Sequence, residues 1–282
     1  MKLIADLIHN YDKTFGAVKL EYGEQQFDQV MTFSDFTEML RTTRFLENDI
    51  WLYKDGVKMS ESELLVSRSD RTKPMSNHRR FSNEKLWQFF MNEKVGIKIN
   101  SLYDFSKKLN TFRNLIAKTL LCEVSVNSYY SPVGSEKMLP THRDKYNILI
   151  LQLHGEKKFF FGEITDEKMT ANKESMVLKA GQALYLPANL AHYAEPTEGH
   201  DSFHLTFGLH DLMFKDYLDF FLKGNSQWQL LANKKFPLQL TGEPIKEDLD
   251  YIIDQLSFCL KEQLKDQVLL KEFLENNLKT YT

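Results

Sequence analysis

Cysteine is nearly absent: Cys122 and Cys259 are the only two in 282 residues. That excludes a disulfide framework and a multi-cysteine zinc site. Each lies in an apolar stretch and reads as a buried thiol in a reducing compartment. Seven Pro and 12 Gly are too few for a low-complexity or collagen-like chain. No apolar run approaches the roughly 20 residues that a spanning helix needs. Asp6 interrupts the apolar N-terminal stretch, and no small-residue cleavage site follows it. Charge of one sign is also lacking. The 36 basic and 39 acidic residues leave a net charge of −3, too weak a field to point to nucleic acid or an anionic membrane. No Gly-x-Ser-x-Gly elbow, Walker phosphate loop or Gly-x-Gly-x-x-Gly fingerprint occurs. The expectation is a soluble, cytoplasmic protein that binds neither nucleic acid nor membrane.

Aromatic and apolar residues are plentiful: 21 Phe and 12 Tyr, with 42% of residues hydrophobic. That is ample for a buried core and incompatible with disorder. Residues 1–50 alternate short helical patterns with Phe-rich turns, and Ser34 is placed to cap a helix over Phe36, Met39 and Leu40. Residues 49–56 read as a strand ending in an Asp-Gly turn. Residues 58–80 are polar and rich in Ser, Arg and Lys, either a solvated loop or a cationic one that contacts substrate. Helices are expected over 82–90 and 105–121, with a strand over 96–100 between them. After Cys122 the period becomes two. Strands are expected from Val124 to Ser131, over 147–153, over 157–161 after a turn at Gly155, and over 176–178, 183–186, 192–195 and 202–209. Such a series of short strands indicates a sandwich or barrel. From Asp211 the helical period returns, through Phe214, Leu218 and Phe221 and then Ile252, Leu256, Leu260 and Leu264. Residues 1–210 thus form a mainly β domain with a helix-and-strand extension, and 211–282 a helical region.

His142 and Asp144 stand two apart, so on a strand both side chains leave one face. His192 lies 50 residues beyond His142. Two imidazoles and a carboxylate can occupy one face of a metal ion and leave positions open, a donor set suited to ferrous iron. A His-x-Asp pair is common by chance, and taken alone these residues more often belong to a surface or a hydrogen-bonded core than to a metal site. Arg143, between the two, is expected to point away from a metal.

The wider pattern resembles the JmjC-type cupins, in particular the ribosomal-oxygenase branch. Residues 126–132 are similar to its Asn-x-Tyr strand, His142-x-Asp144 to its ligand pair, and 151–157 to its Gln-Leu-x-Gly turn and following base. Residues 180–187 with His192, and the Phe-His-Leu-Thr strand at 203–206, complete five blocks between about residues 86 and 209. The resemblance implies a double-stranded β-helix, a cupin or jelly-roll fold with flanking and C-terminal helices. It implies Fe(II) held by His142, Asp144 and His192, with 2-oxoglutarate and dioxygen as cosubstrates and hydroxylation of a peptide or protein side chain. It puts Lys157 on the distal carboxylate of 2-oxoglutarate, where an unpaired buried anion would be costly; without the resemblance, Lys157 next to Lys158 reads first as a surface lysine. Asn127 and Tyr129 or Tyr130 resemble polar positions that line this pocket. His204 is either a satisfied core histidine or a neighbour of the cosubstrate, and Gly208 stands where some relatives carry serine. His9, His78, His154, His200 and His210 read as surface or structural. The branch dimerises through helices after its barrel, so a homodimer through 211–282 is expected. Only 73 residues follow Leu209, little room for the winged-helix module of ribosomal relatives, which points to a peptide substrate. An N-methyl demethylase with the same cofactors and a non-catalytic metal-binding cupin are the alternatives.

Overall fold

Alternating apolar side chains from Cys122 onward build the sheets that carry the site. The computed structural model describes residues 2–11, 16–60, 65–66, 80–92, 94–162, 164–165, 168–169, 174–224, 254, 257 and 267–278. Two compact units result, Met1–Leu120 with Val124–His210, and Leu121–Glu123 with Asp211–Thr282.

The first part of the chain contributes α1 (Lys2–Asn10), β1 (Val18–Glu21), α2 (Phe33–Thr42), β2 (Ile50–Lys54), β3 (Val57–Lys58), β4 (Leu65–Val66) and β5 (Arg80–Phe81). It continues with α3 (Asn83–Asn92), β6 (Gly96–Ile99) and α4 (Lys107–Leu120). The barrel strands are β7 (Cys122–Ser131), β8 (Asn147–Gly162), β9 (Ile164–Thr165), β10 (Lys168–Met169), β11 (Glu174–Lys179), β12 (Gln182–Leu186), β13 (Ala191–Pro196) and β14 (Ser202–Asp211). The second unit holds α5 (Phe214–Gly224) and α6 (Gln267–Leu278). There Tyr217 and Phe220 of α5 lie 5.2 and 5.6 Å from the Phe273 ring of α6. Leu256, Cys259, Leu260, Leu264 and Ile252 fall outside the described residues.

The main sheet runs β1-β12-β8-β14-β7-β6-β2-β3, and β11 and β13 pair with β8 off this path. β8 therefore serves two walls. Its first half pairs with β12 and β14, its second half with β11 and β13. This mainly antiparallel, folded-over arrangement is the expected cupin architecture. One face of the main sheet packs on α2, α3 and α4: Phe36 stacks on Phe203 at 4.3 Å, Phe90 tilts on Tyr130 at 4.9 Å, and Phe112 meets Phe207 edge-on at 5.7 Å. The opposite face lines a cavity. Strand alternation divides the two sets, with Phe203, Leu205 and Phe207 outward and His204, Thr206 and Gly208 inward.

Three local expectations are corrected. α2 is capped by Thr32, not Ser34: the Thr32 hydroxyl accepts from the Asp35 amide and the Asp35 carboxylate accepts from the Thr32 amide. Such a reciprocal box satisfies two free amide donors. β1, which adds an edge to β12, is too short and mixed to register as a periodic segment. And 147–162 is one bent strand instead of two strands joined by a turn. Leu153 is an extra residue opposite the Phe203–His204 step, and Gly155 has φ +62°. A Cβ at Gly155 would lie 1.8 Å from the Asp201 carbonyl oxygen, so only glycine fits there.

Candidate metal centre and cavity

The bulge changes which side chains face inward. Ile148 and Ile150 line the cavity before it, Lys157 and Phe159 after it. Uninterrupted alternation from Ile148 would have sent Lys157 outward. The cavity holds about 720 Å³ of space including its open mouth, and its walls come from β7, β8, β13, β14 and the segment before β8.

At the mouth, His142, Asp144 and His192 place one ligand atom each within 4.8 Å of one another. Asp144 Oδ2 is 3.6 Å from Nε2 of both histidines, inside the ~4.2 Å that two bonds of about 2.1 Å to one ion can span. His142 and Asp144 do not sit on a strand as the spacing suggests. His142 forms an isolated antiparallel bridge with His192, each amide donating to the other's carbonyl at 3.1 and 2.9 Å. The Asp144 carbonyl accepts from the Asn189 amide at 2.7 Å. Backbone pairing across 50 residues thus sets the ligand spacing, and Arg143 between them is exposed.

Second contacts choose the tautomers. His142 Nδ1 lies 2.9 Å from the Pro140 carbonyl and His192 Nδ1 3.0 Å from that of Leu190. A carbonyl only accepts, so each Nδ1 carries the proton and each Nε2 turns its lone pair to the shared point. Burial holds the His192 pKa below its ordinary value, with the neighbouring His142 adding to the effect; neutral imidazole is the form a metal needs. The donor set fits a divalent first-row ion. Tyr146 adds a hydrogen bond to Asp144, and burial followed by the Asp144 charge pushes its phenol up to about 12.

Deeper in, Lys157 is 3% exposed and donates to the Ser131 hydroxyl. Burial pushes its ammonium down to about 7, and among the described residues no carboxylate pairs with it. His204 stacks on Tyr129 at 5.0 Å. Its Nδ1 is buried without a partner, and burial followed by the nearby Lys157 charge holds its pKa well below the ordinary value. A cationic end, a neutral ring with a free nitrogen and apolar walls of Ile148, Ile150 and Phe159 form a receptor for an anion that reaches from Lys157 toward the metal ligands.

Residues 101–217 match the family profile of the JmjC domain. That stretch is similar to JmjC domains. Over 202 residues it is 24% identical to the bifunctional lysine-specific demethylase and histidyl-hydroxylase NO66 of Drosophila willistoni, covering 65% of this chain and 24% of that protein. It is 26% identical over 182 residues to ribosomal oxygenase 2 of Rattus norvegicus, covering 55% and 38% respectively. The chain spans well under half the length of these curated relatives. Among solved structures, the ribosomal oxygenase YcfD of Escherichia coli in complex with cobalt and 2-oxoglutarate superposes with a TM-score of 0.57 at 14% identity, over 97% of this chain and 70% of that one. That likeness is one of fold.

Seven of the residues singled out from the family pattern reach one cavity: His142, Asp144, His192, Lys157, Asn127, Tyr129 and His204. Asn127 is only partly available, because its carbonyl accepts from the Ser101 amide at 3.2 Å. Tyr130 faces the other way, among Phe33, Phe36 and Phe90. Gly208 leaves room for its neighbours: a Cβ there would lie 2.7 Å from Ser125 Oγ and 2.8 Å from the Tyr146 ring, so a larger residue needs those side chains to shift. His210 is more than a surface group, since its ring lies 3.9 Å from that of Tyr146 and its Nε2 2.9 Å from Ser125 Oγ. Ser125, Ser131 and Lys98 carry no spacing signal; Tyr146, two residues past Asp144, offered a hint.

Proposed function

We propose that this protein is an Fe(II)- and 2-oxoglutarate-dependent dioxygenase that hydroxylates a side chain of a peptide or protein. The observation that carries the reading is the pairing, in one cavity, of the His142–Asp144–His192 donor cluster with the buried ammonium of Lys157. His142, Asp144 and His192 would hold the iron, which supplies the redox chemistry that couples decarboxylation of the keto acid to insertion of an oxygen atom into a C–H bond.

The chain's own residues do the positioning. The carbonyls of Pro140 and Leu190 keep both Nε2 atoms deprotonated. Tyr146 orients the Asp144 carboxylate. Lys157, steadied by Ser131, offers a charge-assisted hydrogen bond to the distal carboxylate of 2-oxoglutarate. His204 remains neutral beside that cation and has a ring nitrogen free for the cosubstrate. Ile148, Ile150 and Phe159 keep the passage apolar.

Demethylation would use the same cofactors, and the name of one relative includes it. Hydroxylation is favoured because Lys98, a buried ammonium close enough to Asp144 to feel its charge, would disfavour a methylammonium near the metal cluster. The test is mass spectrometry of candidate peptides after incubation with Fe(II) and 2-oxoglutarate under labelled dioxygen. A product heavier by one labelled oxygen supports the reading. Formaldehyde release with loss of a methyl group establishes the demethylase, and a chain that binds metal without forming succinate is a binding cupin.

The same reading includes a homodimer through the helices after residue 211, supported by the apolar spacing of Ile252, Leu256, Leu260 and Leu264 in the sequence. Light scattering should give twice the 33.2 kDa chain mass; the single mass would reject it. A cytoplasmic, reducing setting accords with Cys122 as a buried thiol.

A further inference from the structure

The inner face of the main sheet continues past the cavity. Tyr129 lies opposite Lys98, and Lys98 opposite Trp51, so the three side chains form a row across β7, β6 and β2. Tyr129 lines the cavity. Lys98 comes next, 8% exposed, its ammonium 5.6 Å from the Tyr129 ring centre and 4.1 Å from that of Trp51. The Lys58 ammonium also lies 4.1 Å from the Trp51 ring. The indole Nε1 of Trp51 is buried and has no hydrogen-bond partner.

Two cations converging on one ring repel each other, and an unpaired buried donor is costly. Ring faces attract both ammonium groups, yet the row contains no carboxylate among the described residues. Asp144 is the acidic group whose charge reaches Lys98, and Asp144 belongs to the metal cluster. Burial, followed by the Lys58 charge, pushes the Lys98 ammonium down to about 8, so it retains its charge at neutral pH. An incoming carboxylate would relieve both features. It would neutralise Lys98, accept from the Trp51 N–H, and be shielded from water by two aromatic rings.

We propose that the Tyr129–Lys98–Trp51 row is a subsite for a carboxylate of the substrate peptide, next to the side chain that enters the cavity. The proposal deepens the oxygenase reading and rests on it. The carboxylate belongs either to an Asp or Glu side chain or to a free C-terminus, and the favoured substrate is an acidic segment over a basic one.

The full chain, loaded with Mn(II) and 2-oxoglutarate without oxygen, is offered three pools of random short peptides: Asp/Glu-rich with amidated C-termini, neutral with free C-termini, and Lys/Arg-rich with amidated C-termini. Retained peptides are counted by mass spectrometry. At least one carboxylate pool should be retained about tenfold over the Lys/Arg pool, and which one identifies the source. Lys98→Met should abolish the preference, Lys98→Arg should keep it, and Trp51→Phe should weaken it severalfold while preserving the packed ring. Equal retention of the three pools, preference for basic peptides, or wild-type preference in Lys98→Met or Trp51→Phe would overturn the subsite. Calorimetry of Mn(II) and 2-oxoglutarate on the same samples separates the two readings: selection of acidic peptides without cosubstrate binding would sink the oxygenase, not the subsite.

Discussion

Gly155 stands two residues before Lys157 in β8, and its left-handed backbone turns that lysine from the outside of the barrel to the inside. Together with the extra residue Leu153, it makes one strand serve two walls and delivers a cation to the depth of the cavity. Gly155→Ala should therefore lower stability by at least ~1 kcal/mol, the cost of a left-handed non-glycine residue before any clash with Asp201. Thermal unfolding reads the loss; a wild-type melting temperature would contradict this account of the bend.

Lys157→Ala should leave metal binding intact and weaken 2-oxoglutarate binding by roughly 2–5 kcal/mol, because the anion is left buried without its partner. Calorimetry with Mn(II) as the ion measures both. Lys158, whose ammonium lies over the Phe160 ring, serves as the control, and Lys158→Ala should bind as the wild type does. Equal losses in the two variants would remove Lys157 from the role.

The same lysine predicts a pH dependence. Burial sets its pKa at about 7 in the free site, and a bound carboxylate must raise it. Binding then takes up a proton wherever the free lysine is neutral. Affinity for 2-oxoglutarate should be greatest below pH ~7 and fall about tenfold per unit above it until the pKa of the bound form is reached. A flat profile in the wild type, or an unchanged slope in Lys157→Arg, would contradict the assignment.

Tyr146→Phe removes the hydrogen bond to Asp144 and keeps the ring against His210. Metal affinity should drop about 10–100-fold, as for other groups that orient a ligand, with unfolding nearly unchanged. Metal titration followed by calorimetry decides it, and wild-type affinity would make Tyr146 a packing residue only.

Legibility followed the range of the interaction. Strands β7, the two halves of β8 and β11 to β14 were readable because period-two patterning is local, and the helices over 82–90 and 105–121 because their apolar stripes are. The metal cluster was readable through the order of its motif blocks. Its geometry was not, since the bridge between His142 and His192 closes over 50 residues and no local pattern encodes it. The inward turn of Lys157 depended on the bulge around Leu153 and Gly155, which appears in sequence as an ordinary glycine turn. Lys98 was hidden because one lysine in the stretch Gly-Ile-Lys-Ile reads as the polar face of a strand. Only the placement of Trp51 and Tyr129 on either side of it shows that this face is covered.

The most direct test of the central claim is succinate formation from 2-oxoglutarate under labelled dioxygen, comparing the wild type with His192→Ala and Asp144→Ala. The account predicts Fe(II)-dependent succinate carrying one labelled oxygen atom in the wild type. It predicts none above the protein-free control in either variant, with the fold of both retained by circular dichroism. Wild-type protein that binds iron yet forms no labelled succinate, or variants that form as much as the wild type, would contradict it.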